Sequence, residues 1–269
     1  MGYGALLSNT TASNNTAVGY QAAYSNTTGT GNVAVGGSAL YSNTTASANT
    51  AVGYRSLLAN TTGSEITALG NHALHQNSTG TTNNAVGVYS LYSNTTGSSN
   101  TANGYRALFS NTTASNNTAV GYQAGYSNTT GTAMTAIGYK AGYANTTGAD
   151  LTAIGWQAGV ASTGANNTFV GSQAGIANLA GSENTFVGRI SGDANTTGSQ
   201  NASFGYWSLS DNTTGAYNVA LGSSALKANT TASFNTAVGY QSLYVNTTGA
   251  YNVAIGGSAL ATSATGNYQ

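Results

Sequence analysis

A glycine returns every seventeen residues along almost the whole of this chain. It stands at Gly2, Gly19, Gly36, Gly53, Gly70, Gly87, Gly104, Gly121, Gly138 and Gly155, and after one step of 16 at Gly171, Gly188, Gly205, Gly222, Gly239 and Gly256. A fixed period of this kind marks a repeat architecture in which each unit stacks on its neighbours. The short step falls in the stretch Val160-Ala161-Ser162-Thr163-Gly164. With this glycine numbered as position 5, the stretch Asn15-Thr16-Ala17-Val18-Gly19-Tyr20-Gln21-Ala22-Ala23-Tyr24-Ser25-Asn26-Thr27-Thr28-Gly29 represents the repeat.

Each position has its own chemistry. Position 4 is aliphatic, as in Val18, Val35 and Val52, with Met1 and Asn103 as exceptions and Phe204 as an aromatic variant. Position 8 is always Ala or Ser, and position 9 varies between Leu (Leu40, Leu57) and Gly (Gly125, Gly142). Position 12 is Asn in fourteen of sixteen repeats, and positions 13 and 14 are mostly Thr. Gly, Asn and Thr are poor helix formers, and the apolar residues do not recur at helical spacing. Short β-type runs bounded by Gly and by Asn-Thr-Thr-Gly read as strand, turn, strand, turn. The expected fold is all-β: a parallel β-solenoid, or β-roll, of sixteen coils of 17 residues. It forms one repeat domain over 1–269, with the single 16-residue coil near 155–171.

Stacking at about 4.8 Å places each position on its own copy in the next coil. Gly19, Gly36 and Gly53 then mark a corner that needs positive φ or close backbone approach. Val18, Val35 and Val52 form an aliphatic ladder. Asn26, Asn43 and Asn94 form an amide ladder, each bonding the copies above and below. Positions 4, 8 and 9 are expected to supply the apolar interior. The complete absence of Pro fits a ladder that needs every N–H.

The run Asn-Thr-Ala-Val-Gly-x-x-Ala resembles the head repeats of trimeric autotransporter adhesins, the YadA-like β-roll. It is also similar to Asn/Thr-rich repeats of phage tail fibres and of proteins ending in an endosialidase-type chaperone domain. The resemblance runs from Gly2 to Gly256, although the adhesin repeat is a few residues shorter. It implies a homotrimer, an extracellular setting on a virion tail fibre or a bacterial surface, and host or surface attachment. Oligomerisation also follows from coil energetics. Three apolar side chains per coil stand against an ordering cost of about 1–2 kcal/mol per residue, so a further apolar contact between chains would help, and two copies would supply it as well as three.

Charge narrows the function classes. Five acidic and five basic residues give no net charge, which removes the electrostatic basis for binding nucleic acid or an anionic membrane. No apolar run approaches the roughly 20 residues of a membrane span. The acids Glu65, Asp150 and Glu183 share position 17 in coils far apart, as do the bases Arg55, Arg106 and Lys140 at position 7. They read as solvated turn residues, and no Ser–His–acid set or paired carboxylates emerge. His72 and His75 lie in one coil, but two imidazoles without a third ligand make a weak metal motif. No enzyme activity, metal or cofactor is expected.

Tyr recurs at position 6, with Tyr20, Tyr54, Tyr122 and Tyr139, and Trp156 replaces it once; a second Tyr row runs at position 10. Such rows either hold glycan rings or bury an interface, and ladders of identical aromatics favour packing. The leading expectation is a rigid trimeric shaft or head of an attachment fibre, with cell-surface glycan as a possible partner. Thr rows raise the alternative of an ice-binding solenoid. Met1 opens the chain at position 4 of one coil and Gln269 closes it at position 1 of another. Those ends suggest a segment cut from a longer fibre, or open ends that stack into an extracellular filament.

Overall fold

The computed structural model describes residues 2–269, and Met1 lies outside them. The chain forms two compact units, one ending at Met134 and one spanning Thr135–Gln269. The first holds β1 (Thr16–Val18), β2 (Val33–Val35), β3 (Thr50–Val52), β4 (Thr67–Leu69), β5 (Asn84–Val86), β6 (Thr101–Asn103) and β7 (Thr118–Val120). The second holds β8 (Thr135–Ile137), β9 (Thr152–Ile154), β10 (Thr168–Val170), β11 (Thr185–Val187), β12 (Ala202–Phe204), β13 (Val219–Leu221), β14 (Thr236–Val238) and β15 (Val253–Ile255). The described residues contain no helix. In each unit consecutive strands pair in parallel, with every position on its own copy, as in Thr16↔Val33, Ala17↔Ala34 and Val18↔Val35. The architecture is the parallel β-solenoid that the seventeen-residue period predicts.

Only three residues of each coil are strand, yet hydrogen bonding between coils continues through the turns. Leu40 N–H donates to Ser56 O at 3.0 Å and Ser42 N–H to Leu58 O at 3.0 Å, while Arg55 N–H donates back to Gly37 O at 2.9 Å. Reaching partners on both sides requires left-handed backbone at positions 7, 9 and 17, as at Arg55 (φ 54°), Leu57 (φ 51°) and Glu65 (φ 61°). That conformation costs a non-glycine residue about 1–2 kcal/mol; the interchain-like ladder of bonds between coils offsets it. The position 5 corner tolerates no side chain at all. Gly53 has φ +131°, and a Cβ there would lie 2.5 Å from Gly70 O.

The 16-residue coil loses its residue in the turn after position 12. Ser162 Oγ takes the place of an asparagine and accepts from Asn178 Nδ2 at 3.1 Å. β9 and β10 still pair as Thr152↔Thr168, so the deletion leaves the register intact.

The interior differs from expectation at one position. A strand alternates its side chains, and the three-residue strand sends its middle residue, position 3, inward. Ala34, Ala51 and Ala68 are fully buried there. Val18, Val35 and Val52, expected inside, therefore point outward; Val18 is 48% exposed. The core consists of positions 3, 8 and 9, together with the Asn at positions 12 and 1.

The exchange of Leu for Gly at position 9 also has a packing cause. A Cβ on Gly175 would meet the Phe169 ring at 2.6 Å, and one on Gly192 the Phe186 ring at 2.5 Å. Gly125 similarly makes room for Met134, whose Cε would lie 2.4 Å from the added atom. At these coils a bulky Phe or Met enters the interior and position 9 is Gly in place of Leu, which conserves volume in a close-packed interior; Ile66 at position 1 is accommodated with Leu57 and Leu74 kept. Gly192→Leu alone should destabilise by about 1–3 kcal/mol through overpacking, and Phe186→Ala alone by about 3–5 kcal/mol through a cavity. The double variant should be more stable than either single one in urea denaturation, because Leu209 shows that this backbone position accepts leucine (φ 53°).

Candidate functional site

With the interior filled, any function rests on the outward rows. The strand face carries positions 2 and 4. Thr16, Thr50 and Thr67 at position 2 run parallel to Val18, Val52 and Leu69 at position 4, one pair per coil. Several of the aliphatic side chains are exposed, among them Val52, Ile137, Leu221 and Ile255. This is an aliphatic row on a sheet face, partly or fully exposed along its described length.

Across the glycine corner lies the position 6 row. Tyr20, Tyr54, Tyr122, Tyr139 and Trp156 are all exposed. Tyr3 stacks on Tyr20 at 5.9 Å, Tyr105 on Tyr122 at 5.3 Å and Tyr139 on Trp156 at 6.3 Å. Gly37, Asn71, Val88, Ser172, Arg189, Ser223 and Gly257 interrupt the row. Position 10 is half-buried and stacks more closely. His75, Tyr92, Phe109 and Tyr126 form a continuous pile with centroids 5.1, 5.2 and 5.2 Å apart and rings parallel within 5°. A third pile at position 17 joins Tyr217, Phe234, Tyr251 and Tyr268 at 4.8, 4.9 and 5.2 Å. Within the continuous piles at positions 10 and 17 the ring faces are spent on each other, so a sugar laid along them meets ring edges.

The asparagines of the Asn-Thr-Thr turns are structural. Asn26, Asn43 and Asn94 are fully buried. Asn43 Nδ2 donates to Asn26 Oδ1 at 2.7 Å and to Ala46 O at 3.0 Å. Asn94 Nδ2 donates to Asn77 Oδ1 at 2.8 Å. These side chains have no freedom to carry a glycan. The Thr at position 13 is also engaged, since Thr27 Oγ1 donates to Thr44 O at 2.9 Å.

A second asparagine ladder, at position 1, was not singled out by the sequence reading. Asn32 Nδ2 donates to Ala46 O at 2.9 Å, and its Oδ1 accepts from Asn49 N–H at 3.0 Å. Its signal was the recurrence of Asn before Thr-Ala-Val, which reads equally well as a polar strand start.

The few charges lie on the rings. The Arg55 guanidinium sits 5.1 Å over Tyr54, Arg106 5.1 Å over Tyr105, and the Lys140 ammonium 5.3 Å from Tyr143. Glu65, Asp150 and Glu183 remain apart at position 17, and Gln200 donates to Glu183 Oε2 at 2.9 Å. The rings of His72 and His75 lie 4.8 Å apart. Burial, then the neighbouring His75, then the Arg55 charge hold His72 below its usual pKa. Burial lowers His75 as well; a hydrogen bond to the Arg55 carbonyl opposes this, and the Arg55 charge adds to it. No group of three potential metal ligands occurs among the described residues.

The other charged cluster lies in the second unit. Lys227 Nζ bonds Asp211 Oδ2 at 3.2 Å, and its ammonium lies 5.8 Å over the Trp207 ring. Trp207 in turn stacks on Tyr206 at 4.7 Å. Asp193 takes position 10 nearby, with Oδ1 buried and without a hydrogen-bond partner. Burial pushes its pKa up to about 6, and the Asp211 charge adds to the shift.

Comparison of the chain with family models, with curated proteins and with solved structures gives no match in any of the three.

The Asp193 carboxyl holds its proton more tightly folded than unfolded. Its contribution therefore favours the fold at low pH and is lost as pH rises from about 4 to about 6. Asp193→Asn should accordingly raise the melting temperature at pH 8. In thermal scans the gain should shrink to nothing below pH 4.

Proposed function

We propose that this chain is a stiff segment of a homotrimeric attachment fibre, acting as shaft or head on the surface of a virion or a bacterium. The observation that carries this reading is the exposed position 4 row. A line of Val, Leu and Ile on a sheet face, broken by Asn103 and carrying one Phe at Phe204, is costly to leave in water, at about 25 cal/mol per Å² of apolar surface. Its occupant must present apolar groups at the same spacing, one per coil, over many coils. A second and third copy of the same chain meet that condition by construction, since parallel copies share the period. The absence of net charge leaves no long-range repulsion between copies.

Such an assembly works mechanically. Hydrogen bonds between coils run along the fibre, and the turns are tied down at every coil. The exterior offers the same polar groups once per coil, so weak contacts to cell-surface glycans would add through multivalency. The chain itself carries no cofactor-dependent or enzymatic step in this reading.

A second reading is favoured by the Thr row at position 2 beside the Val row at position 4. Regular outward hydroxyls and methyls on a flat sheet could order water, which makes an ice-binding face the alternative. The protruding Tyr row beside it works against flatness.

Multi-angle light scattering is expected to give three times the 26.7 kDa chain mass. Val35→Asp combined with Val52→Asp should shift it to a single chain with an unchanged far-ultraviolet circular dichroism spectrum. A wild-type monomer that shows thermal hysteresis would replace the fibre with the ice-binding reading.

A further inference from the structure

One break in the outward rows builds a pocket. Between Tyr20-Gln21 of one coil and Tyr54-Arg55 two coils on, positions 6 and 7 are Gly37 and Ser38. These two small residues leave a depression of about 320 Å³ lined by Gln21, Ser38, Tyr41, Arg55 and Leu58. Tyr41 stacks on Tyr24 at 5.1 Å, and the position 10 residue on its other side is Leu58 rather than another ring. The aromatic pile thus ends here, and the depression gains an apolar wall that the closed piles lack.

The polar groups around this wall are of one kind of use. Gln21 offers an amide, Ser38 a hydroxyl, and Arg55 a guanidinium with no carboxylate in ion-pair range among the described residues. His72 and His75 are close enough for the Arg55 charge to disfavour their protonation. The groups packed around the two imidazoles are Tyr54, Tyr89, Tyr92, the Asn71 side chain and the Arg55 carbonyl. None of these is an acid. The spot is a cation without its counter-ion, beside hydrogen-bonding groups and an apolar wall.

We propose that the Gln21–Ser38–Tyr41–Arg55–Leu58 depression binds a carboxylated sugar residue of an acidic polysaccharide. A planar guanidinium pairs with a carboxylate through two parallel hydrogen bonds. The Tyr41 and Leu58 wall takes the C–H face of the sugar ring, and Gln21 and Ser38 bond its hydroxyls. The volume lies at the small end of ligand pockets and suits a single sugar unit. This proposal rests on the glycan-attachment part of the fibre reading and gives that attachment a chemistry and a place.

The test is calorimetric titration of the full chain with an oligogalacturonate and with its neutral methyl ester. Two variants probe the pocket without threatening the fold. Arg55→Gln removes the charge, and Gln21 shows that this left-handed position accepts glutamine (φ 51°). Ser38→Gln fills the depression and leaves the charge in place. The acid should bind at least tenfold more tightly than the ester, and each variant should weaken it at least tenfold. Equal binding of acid and ester, or acid binding unmoved by both variants, overturns the pocket and leaves glycan attachment standing. Absence of binding to any saccharide, the neutral ester included, overturns both.

Discussion

Coil after coil of this protein encloses buried asparagine, and a buried amide must bond at both ends or cost about 1–3 kcal/mol. Asn43 meets that demand by donating from Nδ2 to Asn26 Oδ1 and Ala46 O and by accepting at Oδ1 from Asn60 Nδ2. Asn32 meets it by reaching Ala46 O and by accepting the Asn49 N–H. A slip of one residue between coils would orphan both ladders at once, so the amides set the register as strictly as the strands do. The ladder stops where its chemistry stops: Ser263 follows Asn246, and Asn246 Oδ1 is left without a donor.

Fixed register turns a short repeat into aligned surfaces. A Val at position 4 becomes a row because Val18, Val35 and Val52 cannot drift past one another. The same rule makes piles of the rings at positions 6, 10 and 17, and the same rule makes any small residue in a row into a notch. Function in such a molecule is a matter of where a row continues and where it breaks. The aliphatic row, polar at Asn103 alone, suits a copy of the chain, which carries the same row. The break at Gly37 and Ser38 suits something the size of one sugar.

Much of this could be read in the sequence, because a period of 17 states which residues stack. The corner glycines, the small residue at position 8 and the amide ladder through Asn26, Asn43 and Asn94 all follow from that stacking. What could not be read was direction. Positions 3 and 4 are both apolar, and a three-residue strand gives too little alternation to show which points inward. The larger Val looks like the core residue, yet the coil is so narrow that Ala fills the place and Val is turned out. The left-handed positions were hidden for another reason. Glu65, Leu57 and Arg55 are not residues that advertise positive φ (61°, 51° and 54°), and they adopt it because hydrogen bonds to both neighbouring coils hold them there. The Leu-to-Gly exchange at position 9 was visible as a pattern, but its cause is a ring such as Phe186 arriving from the strand.

The outward turn of Val52 is therefore the finding on which the functional account rests, and it can be tested with one reagent. The chain has no cysteine, so Val52→Cys places a single thiol on the aliphatic row. Thr28→Cys places one instead on the Asn-Thr-Thr turn. Treatment with a short bismaleimide at low concentration should join copies of the Val52→Cys protein rapidly into covalent pairs, and should leave the Thr28→Cys protein as single chains. Equal rates for the two, or no coupling through Val52→Cys, would contradict the claim that this face is where copies of the chain meet.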